Sequence, residues 1–338
     1  MFTIGIVIVG CIVFKDDLLK LLNSEKRFDR IILEEEPDGI YSSPYTNKLA
    51  VVTDGRLDIF NEYGEVETVD TGIRVTFVFL LEDSMWVIDD KYNLYEMEYN
   101  TTSELSSEDI VLSEVKSFSC TPNEYNSLFS YGVVCESGDV YVWGCNKDYQ
   151  FGIEGTDTIV TPYKIDYIHD IEQIDFGNGT TLLLSKDGSV YEAGVSKQIS
   201  EGNGEFSYQY KKKFTKIDNL QSVKRIYNGS DKMVVLDNDD IEYWGYGCYE
   251  EGYQNETREQ TFRNEGINIL SFGSDYQMGM NQSGDVYYWG HDIINTPKDK
   301  SEPWVYEPTL VIENADMIYA GKNVGYVKKK LEILILKE

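Results

Sequence analysis

The chain has 338 residues and a formal charge of −29 from 30 Lys and Arg against 59 Asp and Glu. That balance excludes direct binding to a nucleic-acid backbone, which needs clustered cations, and adhesion to anionic lipid. A hydrophobic content of 41% supports a packed core, and 13% aromatics with 26 Tyr and only 7 Pro favour pleated, half-buried strands.

The first segment, MFTIGIVIVGCIVF, is too short to span a bilayer and lacks a basic residue ahead of its apolar run, so it reads as a strand. Residues 18–36 carry apolar residues at helical spacing and predict a short helix. From there on, one template recurs. KLAVVTDGRLDIFN at 48–61 is an apolar strand, a tight Asp-Gly turn and a second strand ending on Phe60, and SMWVIDDKYNLYEMEYN at 84–100 repeats it with Met97 in the same slot. NTTSELSSEDIVLSE at 100–114 is polar and reads as a loop.

The clear copies follow. VYVWG at 140–144 returns as VYEAG at 190–194, IEYWG at 241–245 and VYYWG at 286–290, each after a polar turn (ESGD, KDGS, DNDD, QSGD). A further strand opens each unit, at VKSFSC 115–120, IEQIDFG 171–177, VKRIYNG 223–229, INILSFG 267–273 and DMIYAG 316–321. The starts at 115, 171, 223, 267 and 316 lie 56, 52, 44 and 49 residues apart, the length of a four-stranded propeller blade. The C-terminal LEILIL at 331–336 needs a partner and GIVIVG at 5–10 has no unit of its own. Strands from both termini sharing one blade would close the ring and remove exposed edges. The expectation is therefore an all-β protein, a single seven-bladed β-propeller over 1–338, with blades at 40–72, 73–114, 115–170, 171–222, 223–266, 267–315 and 316–338 plus 2–14.

No motif for covalent chemistry is present: no phosphate loop, no GxSxG, no HExxH, and only His169 and His291. No catalytic residue, metal or cofactor is expected. The five Cys (11, 120, 135, 145 and 248) form no CxxC and read as small buried residues of a reducing compartment, placing the protein inside the cell, in nucleus or cytoplasm. The Lys triplets 211–213 and 328–330 read as solvated turns. Trp86, Trp143, Trp244 and Trp289 recur with the repeat and read as inter-blade core; Trp304 lies outside it, an expected exposed anchor for a partner.

The fullest copy, SGDVYVWGCNKDYQFGIEG at 137–155, with Asn146, Gln150 and Gly152, resembles the regulator of chromosome condensation repeat, and the resemblance extends over nearly the whole chain, most strongly over 115–292. The resemblance implies a binding scaffold that docks a Ran-like small GTPase and acts as a guanine-nucleotide exchange factor. The alternative is a propeller without exchange that serves as an interaction subunit of a larger assembly. In that family, one ring position lies 14 residues before the Trp slot. Here it falls on Phe129, Gly179 and Asp275, on Thr46 and Asp83 in the eroded blades, on Asp231 with a shorter turn, and on Asn323 in the last unit. The three Asp match the family's acidic preference; they also suit local turn hydrogen bonds. The family's wedge corresponds to 99–109, with Tyr99, Asn100, Glu104 and Asp109 as its candidates, and a long solvent loop is the other reading. The partner expected is a protein with a basic surface, with no nucleic-acid backbone and no membrane.

Overall fold

A computed structural model describes residues 28–99, 104–122, 128–155, 157–177, 179–199, 206–218, 220–229, 232–236, 241–244, 265–294 and 304–337. All named elements among them are β-strands, arranged in seven antiparallel sheets. Blade one comprises Gly39–Tyr41, Leu49–Thr53, Arg56–Phe60 and Val66–Val69; blade two comprises Val75–Leu80, Ser84–Asp89 and Leu94–Glu98. Blade three runs through Val115–Pro122, Phe129–Cys135, Val140–Gly144 and Ile159–Lys164, and blade four through Ile171–Gly177, Thr180–Ser185, Val190–Ile199 and Phe206–Lys216. Blade five holds Val223–Asn228, Lys232–Leu236 and Ile241–Trp244; blade six holds Ile267–Phe272, Tyr276–Asn281, Val286–His291 and Trp304–Ile312. The last sheet takes Met317–Ala320, Gly325–Lys329 and Glu332–Leu336 from the C-terminal region and Asp29–Ile32 from the N-terminal region.

The expected count of seven blades is corrected on this point. Six blades, not seven, are uninterrupted meanders of consecutive strands, and the ring is completed by a composite sheet. Its N-terminal strand is also not the expected one. Asp29–Ile32 pairs with the C-terminal strand, Asp29 opposite Ile335 and Ile32 opposite Glu332, whereas residues 2–14 lie outside the described residues. The helix expected over 18–36 is likewise corrected where it is described, because Asp29–Ile32 is strand with only Ile31 turned into the core. The pairing strand Glu-Ile-Leu-Ile-Leu supplies a continuous ladder and an apolar face that a local helical pattern in 28–36 does not match.

First strands stand side by side between blades one and two, three and four, four and five, and six and the composite sheet. Side chains join them. Ser117 Oγ accepts the Ile174 N–H and Ser119 Oγ the Phe176 N–H, while Gln173 exchanges two bonds with Ile226 and Asp175 accepts the Asn228 N–H. The paired positions rise together along both chains, so these inner strands run in the same sense. All first-to-second-strand loops therefore share one face of the ring.

The repeat's polar turn does two jobs. At Gly55, Gly138, Gly188 and Gly284 φ lies between +77° and +87°, which closes the second-to-third-strand hairpin. The carbonyls of these glycines also accept the N–H groups of Val75, Ile171, Val223 and Ala315, the residues that open the next unit. A β-carbon at Gly138, Gly188 or Gly284 would press on that incoming backbone. The Asp-Gly turn is thus an inter-blade joint as well as a hairpin.

Between sheets, Trp86, Trp143 and Trp289 are buried, with Trp86 and Trp143 centroids 5.7 Å apart across blades two and three. Blade four has Ala193 in the Trp slot, and Phe151, Phe176 and Phe214 fill the space beside it. Cys120, Cys135 and Cys145 are buried and form no disulfide; Cys11 and Cys248 lie outside the described residues. The Lys triplets are not both turns. Lys211 to Lys213 lie within a strand, Lys211 paired with Glu192, and Lys328 is buried on a strand against Glu36 at 2.6 Å. A carboxylate on the neighbouring strand, Glu192, and one from a connecting segment, Glu36, hold those ammonium groups on the sheet.

Candidate partner-binding face

The glycine that ends each third strand builds the ring. Gly144, Gly194 and Gly290 have φ of 93°, 104° and 104°, a conformation that costs a side-chain-bearing residue strain. The kink turns the next N–H inward: Cys145 donates to Phe129 O at 2.9 Å, Val195 to Gly179 O at 2.9 Å and His291 to Asp275 O at 2.8 Å. Phe129, Gly179 and Asp275 are thereby equivalent, each clamped through its carbonyl at the same face. Asp275 projects, exposed, with its carboxylate accepting Ser274 Oγ at 3.1 Å; Phe129 is half-buried and stacks on Tyr131. Asp83 stands exposed in the corresponding loop of blade two, and Asn323 in that of the composite sheet. Asp231 lies outside the described residues.

In blade one, the register selects a different residue from the count of 14. Ser274 N–H donates to Lys322 O and Lys322 N–H to Thr46 O, so Thr46 matches Ser274 and Lys322 while Asn47 matches Asp275 and Asn323. Thr46 is 1% exposed. Asn47 Oδ1 accepts the Asn323 N–H at 2.8 Å, tying the two loops together. The signal for Asn47 is the pairing of Leu49 with Phe60, which needs the strand register and not a residue count.

Beside Asp83, blades one and two enclose a cleft of about 350 Å³ lined by Lys48, Ile59, Glu67, Glu82, Asp83, Glu98 and Tyr99. The Lys48 ammonium lies 3.6 Å from the centre of the Tyr99 ring, a cation–π contact, and donates to Glu82 O at 2.6 Å. Tyr99 Oη donates to Leu81 O at 2.7 Å. Burial first, then Glu82 and Asp83, pushes the Tyr99 hydroxyl well above its ordinary pKa, so it stays a donor. Four carboxylates against one ammonium leave the cleft acidic.

Of the expected wedge, only Tyr99 reaches this face. Glu104 packs over Gly72, on the connection leading into blade two at the opposite face. Asp109 closes a local turn by accepting Ser106 N–H and Oγ, both at 2.8 Å, and these bonds lower its pKa. Asn100 lies outside the described residues. A projecting element does exist in blade four. Its second strand ends with Thr180 opposite Gly194, but Val195–Ile199 continues, paired only with Phe206–Tyr210, as a two-stranded ribbon rising from the ring face. Trp304 begins the outer strand of blade six opposite His291; its side chain lies outside the described residues.

Asn146 and Gln150, the repeat's polar pair, are buried and fold their own loop. Asn146 Oδ1 accepts the Phe151 N–H at 2.9 Å, and Gln150 donates to Cys145 O at 2.8 Å and to Ser130 Oγ at 3.0 Å. A family profile, the regulator of chromosome condensation (RCC1) repeat, matches residues 137–184, the segment that holds this pair and the Trp-Gly kink. Residues 137–184 thus match the RCC1 repeat. The chain is 24% identical over 186 residues, 52% of its length, to the human E3 ubiquitin-protein ligase HERC2, of which the match spans 4%. Among solved structures the chain is similar to Prp20p of Saccharomyces cerevisiae, with TM-score 0.59 at 13% identity over 87% of this chain and 81% of that one. It is also similar to human WBSCR16, with TM-score 0.62 at 13% identity over 92% and 89%. At these identities the likeness is one of fold.

Proposed function

We propose that this RCC1-repeat propeller is a protein-binding scaffold that docks a Ran-like small GTPase on its ring face and accelerates nucleotide release. The observation that carries the reading is the shared face itself: Asp83, Asp275, Asn323 and Asn47 sit on clamped loops beside an acidic cleft, and one ribbon stands above them. Prp20p, of the same fold, is described with binding to Gsp1p and to histones. No bond is made or broken in such a role. A propeller that binds the nucleotide-free GTPase more tightly than the loaded one must, by linkage, weaken nucleotide affinity by the same factor. Fixed carboxylates near the phosphate and Mg²⁺ site, and a rigid projection to disturb it, are the groups that supply this difference.

The test is release of a fluorescent guanine nucleotide from a Ran-like GTPase in stopped flow. Micromolar propeller accelerates release, and the Asp83→Lys/Asp275→Lys double variant, correctly folded by circular dichroism, does not. Stable association without acceleration would favour the second reading, an interaction module without exchange, for which Phe129 and Gly179 at two ring positions speak.

A further inference from the structure

Along its outer edge, which reaches the cleft at Glu98, blade two differs from its neighbours. Blades one, three, four and six and the composite sheet each carry a fourth strand; blade two ends at Leu94–Glu98. Blade five also has three strands among the described residues, but residues 245–264, which follow it, lie outside them. At blade two the chain returns as residues 104–112, and among the described residues this return covers only one end of the edge. Leu94 N–H donates to Leu112 O at 2.8 Å and Val111 N–H to Leu94 O at 2.9 Å.

Those two bonds set the phase of the strand. Because the backbone groups of Leu94 point out of the sheet, those of Glu96 and Glu98 do also, at the two-residue period of a strand. Their cross-strand neighbours are Trp86 and Ser84, so these outward groups lie beyond the sheet's own ladder. The side chains of Glu96 and Glu98 are both exposed and share one side of the strand. On that side Trp86, opposite Glu96, meets Tyr131 at 5.0 Å and Trp143 at 5.7 Å. Partial burial, and then the neighbouring Glu98, raise the Glu96 carboxyl above its ordinary pKa.

We propose that the outer edge of blade two, at Glu96 and Glu98, receives an extended basic segment of a partner protein as a fourth strand. The backbone offers the ladder of strand addition, and the two carboxylates select a strand with Lys or Arg at alternate positions, which places each cation opposite one of them. A second copy of this chain is disfavoured at the same edge, since Glu96 and Glu98 would meet carboxylates in a chain of net charge −29.

Hydrogen exchange of the full-length protein tests this with a blocked peptide alternating lysine and valine. In the free protein the Glu96 and Glu98 amides exchange freely. At peptide concentrations ten times the Kd their exchange slows by about elevenfold, the factor 1 + [L]/Kd, and a Glu96→Lys/Glu98→Lys variant loses that protection. A peptide N-methylated on the edge-facing amides keeps its charge and gives no protection. Amides already protected in the free protein would mean that the chain's own residues 100–103 fill the edge, and would overturn the proposal. Equal protection by the N-methylated peptide, or by a glutamate–valine peptide, would overturn it as well. If the charge-reversed variant misfolds, Glu96→Gln/Glu98→Gln serves in its place with the same expected loss. GTPase exchange plays no part in these readouts, so either reading can fail alone.

Discussion

Asp175 gives the sharpest test of how the inner strands hold together. Its carboxylate lies between blades three, four and five, accepting Ser119 Oγ and the Asn228 N–H, both at 2.9 Å. Burial nevertheless outweighs those hydrogen bonds and raises its pKa from 3.8 to about 6. The folded protein thus binds this proton more tightly than the unfolded chain. Its contribution favours folding below pH 3.8 and is lost as pH rises through 6. At 1.36 kcal/mol per pH decade the full span is about 3 kcal/mol, and between pH 5 and pH 7 it is about 1.3 kcal/mol. Asp175→Asn removes the titration while keeping an acceptor for Ser119 or Asn228. Urea unfolding of both proteins from pH 4 to 7.5 should show the variant gaining stability relative to the parent as pH rises, by about 1.3 kcal/mol over pH 5–7. Parallel stability curves would refute the reasoning, because they would mean that the carboxylate is solvated or fully compensated.

Other substitutions probe the remaining joints. Gly290→Ala, at φ of 104° with its β-carbon directed at the Asp275 carbonyl, should cost about 2 kcal/mol or more by thermal unfolding and disorder the ring loop. Trp86→Ala, emptying the aromatic cluster with Phe118, Tyr131 and Trp143, should cost about 3–5 kcal/mol by urea titration. Tyr99→Phe leaves Leu81 O without its donor and should cost about 1 kcal/mol, with the Lys48 contact preserved.

Much of the fold was legible because its determinants are local. VYVWG, its degenerate copies and the Asp-Gly turns declare hairpins through alternation and positive-φ residues within a dozen positions, and the five opening strands from 115 onward are the inner strands observed. Even Phe60 and Met97 could be placed in a Trp slot, since size and apolarity suffice there. The candidate site was partly legible for the same reason. Phe129, Gly179 and Asp275 keep their spacing because one glycine kink clamps all three.

What failed was non-local. Asp29–Ile32 is half polar and carries little strand signal of its own, and its place as the closing strand comes from its pairing with Glu332–Leu336 some 300 residues away. The blade-four ribbon, the acidic cleft under Lys48 and the shift from Thr46 to Asn47 arise where strands outrun their partners or loops change length, and a fixed count is blind to both. By itself, the sequence determined a β-propeller of repeated antiparallel units, since periodicity and turn chemistry are written within each unit. Only the tertiary structure decided six continuous blades with a composite seventh sheet and the membership of the ring face, because pairing and register are properties of strands that meet across the chain.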